Sequence, residues 1–259
     1  MYIYLFIPIH HPYVAFKYFT TGDYVVNNKY LWYNKSCWVY LLQCICKFRI
    51  MLKERELKRK IIQIGEKLYD LRLVTARAGN ISARLDKNNI LITATGTALG
   101  NLSKADIVKV SLCGLPAQKN KRPSSEFPLH SLIYRHFPAR VVIHCHPPLT
   151  NAYFAVYSCL KALTFETNFY LGDVPVVEQA SLTVTKLELA IRALRKNNLA
   201  VIKNHGVFSI AENFDASLER IEILEEAVRV AAVARLFKKR ALDKLDREVK
   251  KSLTRKKHS

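Results

Sequence analysis

Acidic residues are scarce in this chain, with 21 Asp and Glu against 41 Lys and Arg in 259 residues, a formal net charge of +20. Part of the excess sits at the end, where residues 238–259 hold ten Lys/Arg and three Asp/Glu. Such a balance raises nucleic acid or a membrane surface as partners. No aromatic interleaving and no nucleic-acid motif accompany the charge. The expectation is therefore a solvated basic tail at 241–259, with neither nucleic acid nor membrane as partner. A basic surface also draws in anionic substrates.

Other absences narrow the class further. None of the six cysteines forms a Cys-x-x-Cys pair, so no disulfide framework is expected. The thiols read as reduced and the protein as cytoplasmic. No window approaches 18 apolar residues without charge, so no membrane span is expected. The longest apolar patch near the start, residues 37–50, is broken by Gln43, Lys47 and Arg49. The first lysine is Lys17, and no basic, apolar and cleavage regions follow one another as in a signal peptide.

What is present changes character at Met51, which with Met1 makes up the methionine content. Residues 1–50 hold eight of thirteen tyrosines and both tryptophans, without helical or alternating period. They are expected to be an N-terminal extension, non-native or poorly ordered and without function. From Met51 the pattern is orderly, and length and apolar content suit one substantial domain over 51–240.

Apolar spacing predicts an amphipathic helix over 52–71 and a strand entered through Gly79-Asn80-Ile81-Ser82. A hairpin at Asn88-Asn89 leads to a strand over 90–93 that runs into Thr95-Gly96, and another strand follows at 107–111. Pro123-Ser124-Ser125-Glu126 opens a helix to His136, with Ser124 or Ser125 as cap. A buried strand over 140–146 precedes a helix over 149–159, a short strand at 174–177 and a helix over 185–196. A hairpin over 200–211 pivots on His205-Gly206, and a long helix covers 216–245. Strands, hairpins and helices in this order predict layered α/β architecture with a largely antiparallel sheet.

His144 and His146 lie two apart in a strand and so face the same way, with Cys145 opposite. His205 occupies a tight turn between two β-type runs, with Gly206 to relax the backbone. Three imidazoles suit a catalytic metal with an open position, and zinc suits imidazole, as do other divalent ions. The plain alternative is two ordinary strand histidines and a turn residue. Glu126 near a helix start has a bland explanation in the helix dipole. Beside a metal it becomes an acid/base. Gly79-Asn80, Thr95-Gly96 and Ser124-Ser125 are each turn-like. Together they form a candidate phosphate cradle.

The ordered set Gly79-Asn80-x-Ser82, Thr93-x-Thr95-Gly96, Pro123-Ser124-Ser125-Glu126, His144-x-His146-Pro147 and Asn204-His205-Gly206 resembles the class II aldolase/adducin family over about residues 52–240. The resemblance implies a three-layer α/β/α fold with a central, mainly antiparallel sheet and a catalytic domain at 51–240. It implies zinc on His144, His146 and His205, Glu126 near the metal as catalytic acid/base, and phosphate on Gly79, Asn80, Thr95, Gly96, Ser124 and Ser125. It further implies a homotetramer and retro-aldol cleavage of a ketose 1-phosphate to dihydroxyacetone phosphate and an aldehyde. The aldolases carry a tyrosine that protonates the departing aldehyde oxygen. Here the matching stretch, 163–171, has only Tyr170, and Phe165, Glu166 or Thr167 falls nearer that place. Alternatives on the same site are a methylthioribulose-1-phosphate dehydratase and a ribulose-phosphate 4-epimerase. A non-enzymatic adducin-like module would have lost metal ligands, which this chain retains. His130 and Cys145 are read as structural.

Overall fold

The computed structural model describes residues 35–113, 121–179, 181 and 183–255, with side-chain surroundings given for 43–237 within that set. The chain divides into units 1–46 and 47–259. In the first, residues 35–46 are helical and residues 1–34 of the expected extension lie outside the described residues. Residues 256–259 of the basic tail do likewise.

Helix α1 spans Lys35–Asp70 rather than starting near residue 52. No Gly or Pro interrupts its opening half, yet residues 43–53 are all exposed, so the missing apolar period reflects a helix without a burying face there. Further along, Ile61, Ile64 and Leu68 are buried. After α1 come β1 (Asn80–Arg84), β2 (Asn89–Thr93) and β3 (Ile107–Ser111). The β1–β2 turn is set by Asp86, whose Oδ1 accepts from the amides of Asn88 at 2.8 Å and Asn89 at 2.9 Å. Next are α2 (Phe127–His136), β4 (Val141–Cys145), α3 (Pro148–Val156), α4 (Phe165–Tyr170), β5 (Val176–Val177) and α5 (Leu187–Lys196). Strands β6 (Leu199–Ile202) and β7 (Gly206–Ala211) form the expected hairpin, and α6 (Phe214–Arg255) closes the chain. Helix α6 outruns its expected end because nothing in 214–255 is Gly or Pro.

The seven strands form one sheet in the order β3-β2-β1-β4-β7-β6-β5. Every neighbouring pair is antiparallel except β5 with β6. Side chains alternate across it and build two cores. Ile81, Ile143, Cys145 and Val207 pack with Ile61 and Leu68 of α1, Phe154 of α3 and Ile221 and Leu224 of α6. Val142, Phe208 and Ile210 pack on the other face with Leu129 and Ile133 of α2 and Ile191 and Leu194 of α5. Helices thus cover both faces, giving the three-layer α/β/α arrangement. Neither α1 nor α6, nor any other described helix, is long and apolar enough to cross a membrane.

Candidate metal centre and anion cradle

The start of β1 and the end of β4 meet at one end of the sheet, where Asn80 pairs with His144. His144 in turn pairs with Phe208 of β7. His144 sits in the strand proper, whereas His146 lies just beyond it, its amide donating to the Leu73 carbonyl at 3.0 Å. His205 stands in the β6–β7 turn, outside both strands.

The structure brings these three side chains together. Their nearest ligand atoms all lie within 4.8 Å of one another. The ring centroids are 4.7 Å apart for His144 and His146, 4.8 Å for His144 and His205, and 5.0 Å for His146 and His205. His144 is stacked between His205 and Phe208, the Phe208 ring lying 4.1 Å away. The Nδ1 of His144 is 2.9 Å from the Val207 carbonyl. Donation there fixes the tautomer and leaves the Nε2 lone pair facing the cluster. The Nε2 atoms of His144 and His146 approach to 2.9 Å.

Burial keeps these rings neutral, as metal ligation requires. It holds His144 well below the usual imidazole range, helped by repulsion from His146 and His205. His146 falls to about 4, through burial and then repulsion from His205, and His205 is lowered by burial.

Backbone at the turn is arranged differently from expectation. Asn204, not Gly206, takes the left-handed conformation, with φ 59°. Gly206 is required by space, since a Cβ there would collide with the Cys145 carbonyl and come within 2.7 Å of His146 Cδ2 and 2.9 Å of His144 Cε1. Gly79 combines both needs, with φ 82° and a would-be Cβ 2.8 Å from the His144 carbonyl.

Glu126 stands at the N-cap position of α2, one residue before the helix rather than inside it. Neither serine caps that helix as expected. Ser124 Oγ instead accepts the Glu126 amide at 3.2 Å, which shapes the turn entering α2. The carboxyl is 6% exposed. Its Oε1 accepts from the Val184 amide at 3.3 Å and lies 3.6 Å from His205 Nε2, too far for a hydrogen bond. Its Oε2 is buried and finds no partner among the described residues. Burial raises its pKa above the ordinary value, opposed by the Val184 amide. Glu126 and His205 are thus each pushed toward the neutral form.

The candidate cradle residues gather at the same end of the sheet. Asn80 opens β1, and its buried Oδ1 has no partner among the described residues. Thr95 and Gly96 follow β2, and an isolated bridge between Ala94 and Pro123 sets them beside Ser124 and Ser125. The Ser124 amide donates to Thr93 and the Thr95 amide to Arg122, both at 3.0 Å. Thr95, Gly96 and Ser125 are exposed, so donors remain available there.

His130 and Cys145 are buried in packing, as expected. His130 Nδ1 lies 2.7 Å from Ser82 Oγ, which lies 2.9 Å from Tyr134 Oη. Cys145 faces the opposite core from His144. Contributions absent from the sequence reading are the Val207 carbonyl, the Phe208 wall, the Val184 amide and the polar groups of α3. Only Phe208, three residues past His205 in an apolar strand, offered any signal.

The family profile described as Class II Aldolase and Adducin N-terminal domain matches residues 59–232. The chain belongs to that family. It is 30% identical to an L-fuculose phosphate aldolase from Methanocaldococcus jannaschii over 70% of this chain and 99% of the relative. It is 32% identical to a methylthioribulose-1-phosphate dehydratase from Acidiphilium cryptum over 64% of this chain and 85% of the relative. The crystal structure of an L-fuculose-1-phosphate aldolase from Thermus thermophilus superposes with TM-score 0.64 and 28% identity, covering 70% of this chain and 95% of that one. This class II aldolase-type chain is accordingly an enzyme of a metal-dependent lyase family, and its three histidines form a group able to hold a metal.

Proposed function

We propose that the protein is a zinc-dependent aldolase that cleaves a ketose 1-phosphate of the L-fuculose-1-phosphate kind to dihydroxyacetone phosphate and an aldehyde. The observation that carries this reading is the convergence of three neutral imidazoles with a buried carboxyl beside one of them. His144, His146 and His205 hold the cation. When bound, it supplies Lewis-acid stabilisation of negative charge developing on a substrate oxygen. Glu126, with Oε1 held by the Val184 amide and Oε2 free, carries the proton at Oε2. Burial raises its pKa above the ordinary carboxyl value, the direction an acid/base needs. Gly79, Asn80, Thr95, Gly96, Ser124 and Ser125 hold the phosphate through backbone amides and hydroxyls.

The catalytic unit is 51–240, with residues 1–50 and 241–259 outside the chemistry. We place the enzyme in the cytoplasm as a homotetramer. Supporting an assembly, α4 and its approach expose Leu163, Phe165, Phe169 and Tyr170, with Phe165 97% exposed.

A dehydratase on methylthioribulose 1-phosphate is the second reading. It is favoured by the 32% identical relative and by Phe165, Glu166 or Thr167 standing where an aldolase tyrosine is expected. The deciding experiment incubates the metal-loaded enzyme with L-fuculose 1-phosphate, methylthioribulose 1-phosphate and ribulose 5-phosphate. Release of dihydroxyacetone phosphate supports the aldolase. Loss of water from the methylthio sugar, or an epimer of the pentulose, assigns the enzyme to a sibling activity.

A further inference from the structure

Three polar side chains next to the metal centre take no part in the reading above: Thr150 and Asn151 of α3, and Glu225 of α6. Glu225 is a carboxylate only 6% exposed, on the α6 face that carries Ile221, Leu224 and Val228. Among the described residues no cation forms an ion pair with it. Its Oε1 accepts from the Leu149 amide at 3.0 Å, and its Oε2 from the Thr150 amide at 2.8 Å and the Thr150 hydroxyl at 2.7 Å.

These are free amides at the opening of α3, whose N-cap is Pro147 and whose own side chains supply no cap bond. A carboxylate from 75 residues along the chain fills that role, favoured by the helix dipole. The next residue extends the connection. Asn151 Nδ2 donates to the His205 carbonyl at 3.3 Å. The first turn of α3 is therefore bonded to α6 on one side and to the His205 turn on the other.

The strand ladder cannot supply that connection. The last pair between β4 and β7 is Cys145 with Val207. His146 and His205 lie one residue beyond it on one strand and two on the other, where no ladder bond relates them. His146 runs through Pro147 directly into α3.

We infer that Glu225, Thr150 and Asn151 form a clamp that sets His146 and His205 at the spacing a shared cation needs. They are positioning residues, since none is a ligand. The inference rests on the metal reading of the three histidines. A merely structural role, in which Glu225 caps α3 and nothing more, affects melting but leaves metal affinity unchanged.

The test measures zinc affinity of the full chain by chelator competition, the visible spectrum of the cobalt(II)-loaded protein, and the melting temperature of the metal-free protein. The variants are Asn151→Ala and Glu225→Gln, with Arg229→Ala, which removes an exposed pair with Glu226, as control. Asn151→Ala is expected to melt like wild type yet bind zinc about 10–100-fold more weakly, with an altered cobalt band. Glu225→Gln is expected to weaken zinc in the same sense, and Arg229→Ala to change neither readout. Wild-type zinc affinity and an unchanged cobalt spectrum in Asn151→Ala overturn the clamp, whether or not Glu225→Gln folds. Failure of the wild-type protein itself to take up zinc or cobalt overturns the underlying metal reading and is seen before any substitution.

Discussion

Glu126 concentrates at one side chain what the chemistry asks of the protein. Its substitution by Gln keeps shape and burial but removes the transferable proton. We expect Glu126→Gln to retain metal and lose about 10²–10⁴-fold in turnover, measured as steady-state kcat on whichever of the three sugar phosphates the wild type converts. Wild-type turnover in that variant would show that the acid/base is elsewhere. His130 makes a separable prediction about stability. It is wholly buried, which lowers its pKa from 6.5 to about 3. The folded form therefore refuses a proton that the unfolded chain accepts between those values. Stability contributed by neutral His130 is present above pH 6.5 and lost as pH falls toward 3. The loss reaches about 1.4 kcal/mol per pH unit for this one group. Denaturant midpoints of His130→Gln, compared with wild type from pH 7 to 4, should show a shallower decline.

Elements matter here mainly through their ends. The ladder of β4 and β7 aligns His144 with Phe208, but His146 and His205 come from where those strands stop. A Cβ on Gly206 would meet the Cys145 carbonyl and the His146 and His144 rings. Gly206→Ala should push the His146 and His144 rings apart. We expect loss of metal binding, together with destabilisation of about 1–3 kcal/mol from overpacking, read by metal content after purification and by denaturant midpoint. A variant that holds metal normally would mean that the turn yields freely. Helix α1 shows the opposite situation. Its residues 43–53 are exposed, so the spacing rule that located the helix over 52–71 found no buried face just before residue 51.

For the molecule as a whole, two expectations follow from charge and packing. Removing residues 1–50 should leave kcat and metal content within about twofold of wild type, because residues 43–50 are exposed. A larger loss in the truncated protein would give that segment a role. The net charge of +20 should speed capture of a phosphorylated substrate. We expect kcat/KM to fall several-fold as ionic strength rises from about 0.05 to 0.5 M, with kcat nearly constant. Flat kcat/KM would place the excess charge too far from the site to steer.

The amino-acid sequence by itself determined most of the elements, though neither the opening of α1 nor α4, and the inventory of chemistry. The strand-like runs at 90–93 and 107–111, the helix opened by Pro123-Ser124-Ser125-Glu126, the helix over 185–196 and the turn at Asn88-Asn89 are local properties, set by neighbours a few residues apart. The ordered motifs identified the family for a similar reason, since side-chain identity and spacing survive in one dimension. Tertiary structure decided what depends on residues far apart in the chain. It alone brought His205 to His144 and His146, made Glu126 a buried cap-position carboxyl under Val184, and showed that Gly206 answers to crowding rather than backbone angle. It also put Glu225 at the start of α3 and Asn151 at the His205 carbonyl. Burial, hydrogen-bond partnership and ring stacking are relations between distant segments, and neither composition nor period encodes them until the sheet has closed.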